Sequence, residues 1–288
     1  MGSNSASALH LTDMARYGRT PADDQLTATA TAGLELWNVI GSFGDDRDRI
    51  WGHLLGLCAS LENNRQLSEV ALQKAMGGDN SLSVSELAAG IGRVEDRLRR
   101  AVPTLADQLI LRLRPLMAAW EARGPGLLHQ AVNLTESGLL VDRAQVVGVL
   151  PVGGGHGRAL LAYNHVHIEA VLADVDAVLP EVLRLAWLLL QLNIDLPRYS
   201  EDVHRDRLPV VAALAMVPVT LAAGECLGLV QLDDSTLLRA VDVWCADVLT
   251  VPASQSAAVV RTWWDTYRKS GSTLGVAVTA LDRLLENS

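Results

Sequence analysis

The chain is poor in aromatic rings, lysine and cysteine, and each shortage excludes something. Phe43 is its one phenylalanine, aromatic residues make up 4% of its 288 positions, Lys74 and Lys269 are its only lysines, and Cys58, Cys226 and Cys245 are its only cysteines. With so few rings, Leu, Val and Ala must fill the interior, which suits close helix packing. Three thiols far apart, none in a C-x-x-C pair, make no disulfide framework, and a reducing, cytoplasmic setting is expected. The 24 basic residues are outnumbered by 33 acidic ones, for a net charge of −9. That balance gives no basic footprint for a phosphate backbone, so no nucleic acid partner is expected.

Long apolar runs are scarce too. The stretch Leu208 to Gly224 holds 17 uncharged residues but contains Pro209 and Pro218 and is followed by Glu225. It is at the short end of a bilayer span and reads as a buried helix, kinked or split at Pro218, with membrane association not expected. The opening residues MGSNSASALHLTDMARYGRT are polar and small, and residues 1–21 read as a flexible arm without the apolar core of a signal peptide.

What the chain does have is helical periodicity. From 22 to 123, apolar residues recur at three and four, as in Ile50, Leu54, Leu57 and Leu61, in Val84, Leu87, Ile91, Val94 and Leu98, and in Leu105, Leu109, Leu113, Leu116 and Trp120. The turn-forming Gly77-Gly78-Asp79-Asn80 interrupts the pattern, and Pro115 is expected to kink the last helix. At Glu121–Gly126 two glycines around Pro125 mark a junction, which separates an N-terminal helical unit (22–123) from a C-terminal one (127–288). The β-branched run Gln145 to Val152, the turn Gly153 to Gly157 and the run Arg158 to Ile168 read as one β-hairpin over about 145–168. Helical spacing returns from Pro180 to the end. The expected fold is mostly α: a multi-helix globular protein with one small β-hairpin packed on helices.

Three constellations bear on chemistry. Gly153 to Gly157 lacks the Lys-Ser/Thr of a nucleotide loop and reads as a hairpin turn, with an anion-binding loop as the alternative. In a strand, His165, His167 and Glu169 share one face, and His156 in the adjoining turn completes a nitrogen and carboxylate set suited to zinc. The plainer alternative makes them the solvent side of a half-buried strand. The segment Pro180 to Leu196 reads as a mostly buried helix with Glu181, Arg184, Gln191 and Asp195 along one polar stripe, Glu181 and Arg184 being spaced for an ion pair. No GxSxG elbow or HExxH pair occurs. The primary expectation is a soluble helical protein acting through a protein partner or self-association, with no cofactor. The alternative is a metal-assisted hydrolase, with zinc on His156, His165, His167 and Glu169 and with Glu181 and Arg184 as acid/base and charge stabiliser.

Overall fold

A computed structural model describes residues 4–19, 21, 23–77 and 81–287. It is mostly α, as the periodicity implies, with twelve α-helices and a three-stranded sheet among the described residues. In chain order these are α1 (Asn4–Arg16), α2 (Asp24–Gly41), α3 (Arg47–Leu57), α4 (Asn64–Met76), α5 (Ser81–Ala101), α6 (Leu105–Leu134), β1 (Gln145–Val149), β2 (Gly157–Leu160), β3 (His165–Glu169), α7 (Glu181–Leu190), α8 (Pro197–Ser200), α9 (Leu208–Cys226), α10 (Asp234–Trp244), α11 (Ala253–Ser270) and α12 (Leu274–Glu286). The chain folds as two compact units. One comprises 1–113, 146–156 and 167–170, and the other 114–145, 157–166 and 171–288.

In the first unit α1 corrects the expectation of a loose arm. Residues 1–3 and 20 lie outside the described residues, but Ala6 to Ala15 form an unbroken buried stretch of helix against α2, α3 and α5. The polarity that suggested an arm is consumed inside. The Ser7 hydroxyl accepts the Leu150 N–H (3.1 Å), Thr12 donates to the Ala8 carbonyl (3.0 Å), and Asp13 accepts the Trp51 indole N–H (2.7 Å). Each buried polar group therefore has a partner, which removes the cost of its desolvation. Gly33 of α2 lets the helices approach, since a Cβ there would overlap Thr12. Outside this core, Trp37 is sandwiched between the guanidinium groups of Arg16 (4.1 Å) and Arg47 (4.0 Å). Asn63 caps α4 by accepting from the N–H groups of Arg65 and Gln66, and the helix stops at Gly77, whose φ is 67°. The rest of the interruption expected there, 78–80, lies outside the described residues.

The junction expected at Glu121–Gly126 is also corrected, because α6 runs through it with Pro115 and Pro125 inside the helix. Neither Gly124 nor Gly126 has a positive φ. Gly124 instead leaves room for the Trp120 indole, which a Cβ would strike. Both prolines lie on the exposed side. Water can there solvate the carbonyls that lose their helical donors.

The expected hairpin is a three-stranded sheet of order β1-β3-β2. The second extended run is broken after Leu160, and the chain reverses at Asn164, whose φ of 49° asparagine tolerates. β2 and β3 thus form the hairpin. β1 lies parallel to β3, because Gln145 donates to Asn164 (3.1 Å) at one end and Ala170 to Val149 (2.9 Å) at the other. Gly153–Gly157 is therefore the crossing from β1 to β2 and not a turn between paired strands.

In the second unit α9 is apolar all round, and packing accounts for that. Val211 to Gly224 are buried without interruption beneath α7, α10, α11 and α12, and the helix continues through Pro218. Indole groups tie the neighbours: Trp187 donates to the Ala213 carbonyl (2.8 Å) and stacks on Trp244, while Trp263 donates to the Ala277 carbonyl (2.6 Å). The α8 to α12 contact is closer still. A Cβ at Gly275 would run into the backbone carbonyl of Arg198, which cannot swing away as a side chain can. Gly275→Ala is therefore expected to destabilise the protein by about 1–3 kcal/mol, measured as a lowered urea midpoint.

Candidate functional site

Glu169 is the most constrained ionisable group of the first unit. Its side chain has no solvent exposure. One carboxylate oxygen, Oε1, accepts from His10 Nε2 (2.9 Å), the Val152 N–H (2.8 Å) and the Gly153 N–H (3.0 Å). Oε2 accepts from the N–H groups of Gly155 (2.8 Å) and His156 (3.1 Å). Gly154 and Gly155 take φ values of 72° and 114°, the left-handed region in which a run of amides curls into a concave nest. The glycine loop does cradle an anion, and that anion is the protein's own carboxylate. Burial by itself would raise the Glu169 pKa, but the hydrogen bond and charge of His10 and the amides of Gly153 and Val152 outweigh it and hold the group far below the usual carboxylate range.

This arrangement corrects the zinc expectation. All five residues of β3 are buried, so its histidines are not the solvent side of a half-buried strand either. His165 is enclosed beside Tyr163, with ring centroids 6.2 Å apart, His167 is equally buried, and the half-buried His156 ring lies against the Arg19 guanidinium (3.0 Å to Nδ1). Among the described residues no three His, Cys, Asp or Glu side chains converge in a set able to hold a metal ion. The physical reason is that Glu169 already spends its lone pairs on five donors. His10, which the sequence leaves isolated, is the partner it found across 159 residues.

In the second unit Glu181 and Arg184 form the expected ion pair, both buried. The polar stripe itself ends early, since α7 stops at Leu190; Gln191 turns back to donate to the Trp187 carbonyl (3.0 Å), and Asp195 lies beyond the helix. Burial pushes the Glu181 carboxyl up despite Arg184. The pair anchors the segment before α7. Glu181 Oε1 faces the Val175 N–H (3.5 Å), the Glu181 N–H donates to Asp174 (2.8 Å), and Asp176 accepts from the N–H groups of Val178 (2.8 Å) and Leu179 (3.2 Å) and from Arg239 of α10 (2.6 Å).

Sequence reasoning missed these aspartates, although Asp-x-Val-Leu before a Pro-initiated helix is an Asx-turn signal. With the backbone so fixed, Leu172 (58%), Val175 (48%) and Val178 (51%) are held in solvent. Beside them a shallow open depression is lined by Ser235, Leu238, Arg239, Asp242, Ala253 and Ser254. Asp176→Ala is expected to cost about 1–2 kcal/mol, the range for losing a capping acceptor, and to speed amide exchange at Val178 and Leu179 above that of α9. Unchanged exchange at those two amides would show that the segment holds its shape without Asp176.

No family model, curated protein or solved structure matches the chain.

Proposed function

We propose that the chain works by docking a protein partner, on the face formed by residues 172–178 and the start of α10. The observation that carries this is the pinned segment: three apolar side chains in seven residues stay outside while carboxylates hold the backbone beneath them. A preorganised surface loses little conformational freedom on binding, so its apolar contacts convert more fully into affinity. The charge around it selects the partner. Asp174, Asp233, Asp234 and Asp242 are exposed, while the two nearby guanidinium groups are already engaged, Arg239 on Asp176 and Arg261 on Asp234. A segment with apolar residues flanked by lysine or arginine complements that pattern. The hydrolase alternative loses its support, because Glu169 is saturated and Glu181 is paired inside the fold.

The test uses two labelled helical peptides of equal apolar content, one carrying lysine and the other glutamate at its polar positions, titrated by fluorescence anisotropy. The lysine peptide should bind and the glutamate peptide should not. A Leu172→Ser, Val175→Ser, Val178→Ser variant, unchanged in charge, should bind the lysine peptide at least about tenfold more weakly. Equal binding of both peptides, or full affinity in the triple variant, overturns the reading.

A further inference from the structure

The helix α6 is apolar on two sides. Leu105, Leu109, Leu113 and Leu116 are buried, yet Ile110 (56%), Leu111 (53%) and Met117 (56%) project from the opposite side into solvent. At 100° per residue these three share one stripe with Asp107, Arg114 and Ala118, all exposed. Among the described residues Asp107 and Arg114 take part in no ion pair, though each lies on the same face as the exposed apolar residues.

We infer that this stripe is a self-association surface, on which α6 of one copy packs antiparallel on α6 of a second. The order of its residues fits a two-fold axis. Asp107 and Arg114 lie equally far on either side of the midpoint between Ile110 and Leu111, and carry opposite charges. Antiparallel pairing about that midpoint sets Ile110 against Leu111 of the partner subunit and Asp107 against Arg114 of the partner subunit, and symmetry repeats both contacts. Parallel pairing in register would instead oppose Asp107 to itself and Arg114 to itself. The charge pattern thus selects one orientation and one register. The surface is a single helix face, smaller than a standard stable interface, so the dimer is weak and forms at high micromolar concentration.

Sedimentation equilibrium over a concentration series tests this on the full chain. The wild type should dimerise, more weakly at high salt. Asp107→Arg places like charges opposite each other twice, as does Arg114→Asp, and each should raise the dimer dissociation constant at least about tenfold. The combined variant, Asp107→Arg with Arg114→Asp, should dimerise as the wild type does. An equimolar mixture of the two single variants should form a one-to-one heterodimer, because every facing pair is then opposite in sign. Circular dichroism of the exposed-site variants establishes that they remain folded. A wild type monomeric up to about 1 mM, dimerisation indifferent to either charge reversal, or a mixture that fails to pair would each overturn the proposal.

Discussion

Replacing Glu169 by alanine should cost about 3–5 kcal/mol of folding stability, the range for removing one side of a buried charged network. The loss is large because the carboxylate is the common acceptor for His10 and four backbone N–H groups, and its removal strands the buried His10 ring and the buried Gly155 N–H. Glu169→Gln keeps one acceptor oxygen and brings an unwanted donor into the nest, so it should fall between wild type and alanine. His10→Ala, which leaves the four amides satisfied, should cost only about 1–3 kcal/mol.

The pH dependence follows from the direction of the shift. A depressed folded-state pKa means that the unfolded chain binds the proton more readily, so the contribution of Glu169 is fully present above about pH 4.3 and is lost as pH falls through the folded value. Glu181, whose pKa is raised, acts in the opposite sense, favouring the fold less as it ionises. Urea unfolding at pH 7 and pH 3.5 should therefore show a steeper acid loss for the wild type than for Glu169→Gln. Equal slopes would mean that the cradle does not depend on the charge.

The helices were legible because their apolar residues recur locally at three and four, and the extended runs because β-branching is local too. Glu169 has other neighbours than the strand pattern implied, His10 and four backbone amides in place of the β3 histidines. Alternation along a strand says which residues share a face, and it is silent on what covers that face; in β3 both faces are covered. His10 lies in a helix whose polar residues mimic a solvated arm, and only the tertiary fold brings it to Glu169. The Glu121–Gly126 junction failed for a different reason. The low helix propensity of glycine and proline is a cost of about 1–3 kcal/mol per residue, and the buried Leu116, Leu127 and Ala131 on the same helix can outweigh it. Glu181 and Arg184, three residues apart on a helix, needed only local spacing and paired as read.

That pair carries the other large effect. Arg184→Ala leaves the Glu181 carboxylate buried without its cation and should destabilise the protein by about 3–5 kcal/mol at pH 7. The deficit should shrink toward pH 4.5, because protonating Glu181 removes the stranded charge. Replacing both groups, Glu181→Leu with Arg184→Met, should return to within about 1 kcal/mol of the wild type, since neither desolvation cost remains. If the double variant is as unstable as the single one, the pair contributes net stability of its own and the desolvation argument fails. If it recovers, a second measurement separates stability from shape. Glu181 also faces the Val175 amide, so in the double variant hydrogen exchange should quicken at Val175 while α9 keeps its protection. Such a protein would be stable yet would present Val175 on a looser segment, and its affinity for the lysine peptide should drop, because the ion pair would then act by holding the docking surface in its binding shape.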